Sequence, residues 1–230
     1  MRDRTILRIA LLVLLAVFVL ASPALAQKTL NQSKAMNGNV TPGDAPGFPV
    51  TLSKAGAYKL IGNLTVPNKD TTAIEITADN VTLDLNGFGI FGPGGQGTGV
   101  GISAFQSNIT VTNGSVRSMG SAGIFLGGNS HRVEKVYAML NGGVGIFVDD
   151  GSTVTGCTVN LNVTGISARN GGSVSGNTVR GNTFYGLDFV VGPVGYANNV
   201  LSANNGGDAN LQVAGGTNLG HNLCGVAICP

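Results

Sequence analysis

Residues 143–189 read GVGIFVDDGSTVTGCTVNLN, VTGISARNGGSVSGNTVRGN and TFYGLDF when written as successive lines of one frame. Stacked this way, Gly145-Ile146 falls over Gly165-Ile166, Val154 over Val174, Val159 over Val179 and Asn162 over Asn182, and Gly186-Leu187 reopens the pattern one place late. A fixed period of about twenty residues marks a repeat architecture, and it has to be read before any single element is assigned.

Working outward from that block, the frame extends in both directions. A first apolar column runs through Ile74, Ile102, Ile124, Ile146, Ile166, Leu187 and Leu211. Two places further along stand Ile76, Ala104, Leu126, Val148, Ala168, Phe189 and Val213. Alternation of this kind puts both members of each pair on one face of a strand. A second column holds Leu83, Val111, Val133, Val154 and Val174, and a third holds Phe88, Val116, Ala138, Val159, Val179 and Val200. Three columns keeping one period mean three short strands per turn, each stacked on its counterpart in the next turn. The expected fold is therefore all-β: a single-stranded right-handed parallel β-helix, a solenoid of about seven coils with N- and C-terminal caps. At the spacing of paired strands such a stack is on the order of 30 Å long. Helical spacing of apolar residues is nowhere sustained, and glycine, at 37 residues, is too frequent for helices.

The corners carry their own signals. Gly101, Gly123, Gly145, Gly165 and Gly186 each precede a first-column residue, where the reading expects backbone angles costly for other residues. Asn141, Asn162 and Asn182 recur after the third column and are expected to stack as an amide ladder. The longest coil carries PGGQGTG at residues 93–99, read as an extruded loop. Both ends of a solenoid expose core and need covering. Residues 27–71 are assigned to an N-terminal cap region on the alternation in PVTLSKAGAYKLIGNLTV, with a turn at Lys54-Ala55-Gly56; residues 72–220 are the coils, and 221–230 a C-terminal tail. Cys224 and Cys229, five apart with Gly225 between them, are expected to close a small disulfide loop, which leaves Cys157 as a buried thiol.

Ahead of all this, Arg2, Arg4 and Arg8 precede an apolar run from Ile9 to Ala21, and Ala24-Leu25-Ala26 closes it. That is the layout of a cleavable signal peptide over residues 1–26, and the run is too short to span a membrane, so the mature chain is expected to have no span. Removing those residues takes three of the 13 basic and one of the 11 acidic residues and leaves the two signs balanced. A neutral chain has no footprint for a nucleic-acid backbone, and no nucleic-acid partner is expected.

The segments GFPVTLSKAGAYKLIGNLTV, ITADNVTLDLNGFGI and HNLCGVAICP resemble bacterial secreted right-handed parallel β-helix repeat proteins, relatives of the pectate-lyase-like superfamily. The resemblance covers nearly all of the mature chain. It implies a secreted or periplasmic bacterial protein, and it specifies architecture far more than activity, since lyases, hydrolases, epimerases and adhesins share the fold.

In such a fold the useful side chains point outward in rows. The first column's row is Glu75, Ser103, Phe125, Phe147, Ser167, Asp188 and Gln212, with Thr77, Phe105, Asp149, Arg169 and Val190 two places on. Phe125 and Phe147 with Ser167 suit sugars, whose C–H faces stack on rings while hydroxyls find polar groups. A polysaccharide or cell-surface component is the expected partner, bound without catalysis. The alternative is a small polysaccharide lyase or C5-epimerase on acidic polysaccharide, with Asp149, Asp150, Arg169 and Asp188 as catalytic candidates: a cation neutralises the substrate acid while a base removes the adjacent proton. Tyr185-Gly186-Leu187-Asp188 resembles the opening of the Tyr-Gly-Phe-Asp-Pro-His segment of alginate C5-epimerases, but Phe189 and Val190 stand where its Pro and His follow, so Asp188 alone carries over. No metal site and no cofactor are expected, calcium entering only under the lyase alternative.

Overall fold

A computed structural model describes residues 27–189, 191–207 and 212–229. The signal-peptide segment, Val190 and Leu211 lie outside the described residues. Among those described, no helix is long and apolar enough to cross a membrane.

The first column forms an eight-stranded, all-parallel sheet whose strands follow one another in chain order. They are Val50–Leu52, Ile74–Ile76, Ile102–Ala104, Ile124–Leu126, Val144–Val148, Thr164–Ala168, Leu187–Phe189 and Val213–Gly215. Each is short because only three to five residues fit between corners, and in each the alternate apolar side chains turn into the bore. Ile74, Ile102, Ile124, Ile146 and Ile166 are all buried in one ladder. Eight strands give about eight coils, one more than the sequence reading, because Val50–Leu52 pairs in parallel with Ile74–Ile76 and opens the stack inside the region expected to cap it.

The second and third columns share one 16-stranded sheet. They fuse because Ile109–Arg117 and Arg132–Met139 run through both columns as single bent strands, bending at Asn113 and Lys135, both left-handed. Leu83, Val111, Val133, Val154 and Val174 stack as read, and the ladder continues through Tyr196.

Three register positions differ from the sequence reading. Ile90, not Phe88, stacks on Val116. Leu201, not Val200, stacks on Val179, and Val200 faces solvent. Val213, not Leu211, pairs with Leu187, so Gln212 is buried rather than a member of the outer row. In each case the residue that stacks stands one or two places from the one expected, where coils of unequal length meet, and burial chose between nearby apolar residues that periodicity could not separate.

Asn141, Asn162 and Asn182 do form a buried ladder, continued by Asn204 and closed by Gln212. Asn141 Oδ1 accepts from the backbone N–H of Met119, and each later asparagine Oδ1 accepts from both the backbone N–H and the amide of the asparagine one coil earlier, as Asn182 does from Asn162 at 2.9 and 3.2 Å. A second ladder, Asn177–Asn199–Asn222, lies at the corner between the second and third columns, and its Asn177 accepts from the N–H of Cys157.

The glycines before the first column have a different cause from the one expected. Their φ angles are not positive. A Cβ on Gly123 would lie 2.6 Å from the Gly145 carbonyl oxygen and 2.7 Å from the Asn141 amide nitrogen, and one on Gly145 2.7 Å from that of Asn162. Glycine is required there by the amide ladder and the next coil, not by backbone angle. The 93–99 stretch is likewise packed rather than extruded. Gly94 and Gly97 donate to Ser118 and Gly120 in the following coil, Gly99 donates to Lys69 in the preceding one, and a Cβ on Gly97 would stand 2.5 Å from the Lys69 carbonyl oxygen. With glycine at four of its seven positions, this backbone lies close against its neighbours.

At the N-terminal end, Lys28–Leu30 adds to the edge of Gly56–Leu60, and the helix Gln32–Asn37, capped by Asn31, buries Ala35. At the other end, Leu223–Cys224 folds back antiparallel onto Ala227–Ile228, and the Cys224–Cys229 disulfide closes that hairpin.

Candidate functional site: the outer row of the first sheet

Parallel pairing in unbroken register lines up the outward side chains of the first sheet. Glu75 pairs with Ser103, Ser103 with Phe125, Phe125 with Phe147, Phe147 with Ser167 and Ser167 with Asp188. Ala214 occupies the next place, where Gln212 was expected.

Phe125 and Phe147 stack at 4.6 Å between ring centroids and 10° between planes. Phe105, 72% exposed, tilts against Phe125 at 5.6 Å, and the Arg169 guanidinium lies over Phe147 at 5.1 Å. The two central rings are therefore covered on both faces and turn only their edges outward. The open aromatic surface is that of Phe105, at the end of the column, a residue the sequence showed in the row but gave no reason to prefer.

Asp149 and Arg169 meet as expected, at 3.8 Å, with the arginine side chain nearly half exposed. An ion pair in that setting contributes about 1 kcal/mol or less. Asp149 also accepts from the backbone N–H of Asp150, whose exposed carboxylate joins neither Arg169 nor Asp188 among the described residues. Asp188 sits beside Ser167, one place down the row, and its Oδ1 is shielded from solvent with no hydrogen-bond partner. A carboxylate oxygen left without a donor is a costly arrangement. Of the four acidic and basic candidates, Asp149 and Arg169 are thus joined, Asp188 lies on the strand paired with that of Ser167, and Asp150 is exposed with no ion pair among the described residues.

Toward the N-terminal end the row runs into a polar cleft of about 440 Å³ lined by Phe48, Pro49, Asp70, Thr71, Thr72, Glu75 and Ser103. Its wall is set by the packed 93–99 segment, since Asp70 Oδ1 accepts from the N–H of Thr98 at 2.9 Å. Asp70, Thr71 and Thr72 lie between the columns of the repeat, where periodicity carries no signal.

Behind the row, His131 is buried in the corner after Leu126. Its Nε2–H faces the Gly127 carbonyl at 3.0 Å and its Nδ1 accepts from the N–H of Ile109 at 3.4 Å. Burial lowers its pKa below the usual histidine value, against smaller opposing effects of the Gly127 carbonyl and the Asp149 charge. Gly127 in turn touches Phe105: a Cβ placed there would come within 3.0 Å of that ring.

Among the described residues no group of three or more His, Cys, Asp or Glu side chains is placed to hold a metal ion.

The stacked parallel coils find their counterpart in one comparison. The family model described as "Right handed beta helix region" matches residues 53–206, more than half of the chain. The chain belongs to the right-handed β-helix family. The matched stretch begins within the first coil and ends inside the eighth-coil approach, so the family spans the whole outer row from Glu75 to Asp188. No curated protein and no solved structure gives a match.

Proposed function

We propose that this right-handed β-helix protein is exported and binds polysaccharide along the outer wall of its first sheet. The supporting observation is the unbroken row that runs from the polar cleft at Glu75 and Ser103, past the exposed ring of Phe105 and the aromatic edges, to Arg169, Asp149 and Asp188. Hydroxyl and carboxylate groups alternate there with apolar surface, the mixture that sugars match. Successive strands repeat at a spacing near 4.8 Å, so an extended glycan laid along the stack meets equivalent positions coil after coil. The localisation rests on the signal-peptide pattern of residues 1–26.

Affinity electrophoresis of the mature protein through gels containing alginate, pectate, hyaluronan or neutral glucans tests this. Retardation in at least one gel, diminished by Phe105→Ala and by Thr72→Ala, is the expected result; equal mobility in all of them overturns the reading.

A second reading has its own observation. Asp188 Oδ1 has no hydrogen-bond partner and its strand pairs with the one that leads to Arg169, which supports reading the two as base and cation, the combination a lyase or C5-epimerase uses on a uronate. Incubation with the same uronates, with and without calcium, separates the two. Ultraviolet absorbance of an unsaturated product, or solvent proton exchange at C5, lost in Asp188→Ala, establishes catalysis; neither signal leaves binding alone.

A further inference from the structure

The described part of the chain contains four arginines, and three have partners: Arg117 lies over the Phe91 ring at 4.4 Å, Arg132 pairs with Glu134 at 3.2 Å, and Arg169 pairs with Asp149. Arg180 has no ion pair, ring or side-chain hydrogen bond among the described residues, and it is exposed. It lines a pocket of about 300 Å³ together with Asn160, Leu161, Gly181 and Ala203, on the wall of the third column and away from the row of the first sheet.

The pocket has a structural origin. Leu140, Leu161, Gly181 and Ala203 occupy one corner position in successive coils, and all four have left-handed backbone. Leu140 and Leu161 project their side chains into solvent, Gly181 has none, and Ala203 has one methyl. The missing side chain at Gly181 leaves a notch against Leu161, whose Cδ2 lies 3.0 Å from where a Cβ would stand. Beside the notch, Asn160 and Arg180 are neighbours across paired strands, and Asn160 Oδ1 is a shielded acceptor with no donor. The mouth thus offers an uncompensated cation and the floor an apolar surface of leucine and alanine, with an unsatisfied amide oxygen at the side.

We infer that this notch is a second ligand site, one that takes a single carboxylate-bearing sugar unit. Arg180 receives the carboxylate, for which a guanidinium has fixed two-pronged geometry. The C–H face of the ring lies on Leu161 and Ala203, and Asn160 Oδ1, which has no donor of its own, accepts from a ring hydroxyl once the side chains at the mouth part to admit it. The volume is at the lower end of ligand pockets, enough for one ring and not for a chain of them. The choice of a sugar acid rests on the polysaccharide reading above; the carboxylate requirement rests on Arg180 itself.

The test is a titration of the isotope-labelled mature protein with galacturonic acid, galactose and acetate, followed by NMR at the Asn160 amide and the Arg180 Nε–H. Galacturonic acid is expected to move both signals saturably, galactose and acetate at least tenfold more weakly, since each lacks one of the two interactions. Arg180→Ala should weaken galacturonate binding tenfold or more without changing the melting temperature, because Arg180 supports nothing in the fold. Gly181→Asn, a residue that tolerates left-handed backbone, should fill the notch and abolish the shifts, while Arg117→Ala leaves them intact. Shifts of equal size with acetate reduce the site to a bare anion contact and overturn the inference, as does undiminished binding by Arg180→Ala. Phe105→Ala separates this site from the first: loss of gel retardation with intact galacturonate shifts sinks neither, whereas retained retardation with no shifts removes the notch alone.

Discussion

Two buried titratable side chains show how single residues couple this fold to pH. His131 uses both ring nitrogens, one toward Gly127 and one from Ile109, which only the neutral ring can do. Its folded-state pKa is lowered by burial, so the unfolded chain takes up the proton first as pH falls. Stability is present in full above the unfolded value near 6.5 and is lost as pH drops through the folded value. A melting series below pH 7 should show this loss, and His131→Gln should flatten it; a slope unchanged in the variant would mean that carboxylates alone carry the acid limb. Cys157 does the opposite at the alkaline end. Burial pushes its thiol up to about 11. The unfolded chain releases the proton first as pH rises, so stability is present below the unfolded value and falls as pH climbs toward the folded one, by at most about 1.4 kcal/mol per pH unit for one group. Cys157 should react with a thiol reagent at pH 8 only on unfolding, and reaction in the native protein at the free-thiol rate would refute its burial.

Between corners, elements are short enough that each is held by its neighbours rather than by its own propensity. The asparagine ladders are the clearest case. The asparagine side chain replaces the strand hydrogen bonds that a corner interrupts, each Oδ1 accepting from the coil before it and each amide reaching a carbonyl one coil back, as Asn177 reaches Val154. Because the ladder passes so close to the chain, the glycines beside it have no freedom to become alanine. Gly123→Ala should lower stability by about 1–3 kcal/mol or more, an overpacking cost against Gly145 and Asn141. Gly156→Ala, at φ 63 with no atom nearer than 3.8 Å to its Cβ, should cost only about 1 kcal/mol, from left-handed backbone alone. Urea denaturation of the two variants decides this, and equal losses would mean that the close approach at Gly123 relaxes.

As a whole the molecule is a stack in which each coil touches only the next, so stability is nearly a sum of neighbouring interfaces and the ends are its weakest places. The last coil is closed by the small loop between Cys224 and Cys229, both buried. A loop of that length constrains the unfolded chain by about 2 kcal/mol. Reduction should therefore fray the end first: amide exchange at Val200–Ser202 should quicken while Ile124–Leu126 in the middle stays protected. Uniform acceleration along the stack would show that the solenoid unfolds as one unit. The same linear construction places the two proposed sites. One row needs the register of a whole sheet, the other only the corner of three consecutive coils.

What the sequence determined by itself was the repeat: a period near twenty residues, three apolar columns, the first asparagine ladder and the terminal disulfide pairing all follow from spacing, because side chains that stack coil on coil must recur at the coil length. Spacing also brought Asp149 to Arg169 and Phe125 to Phe147. It could not say that the Phe125 and Phe147 faces are taken, that Gln212 turns inward to end a ladder, that residues 93–99 lie close against their neighbours, or that Gly181 opens a notch beside an unpaired arginine. Those depend on where coils of unequal length settle against one another, and that is decided by burial and close contact across turns, which only the folded stack contains.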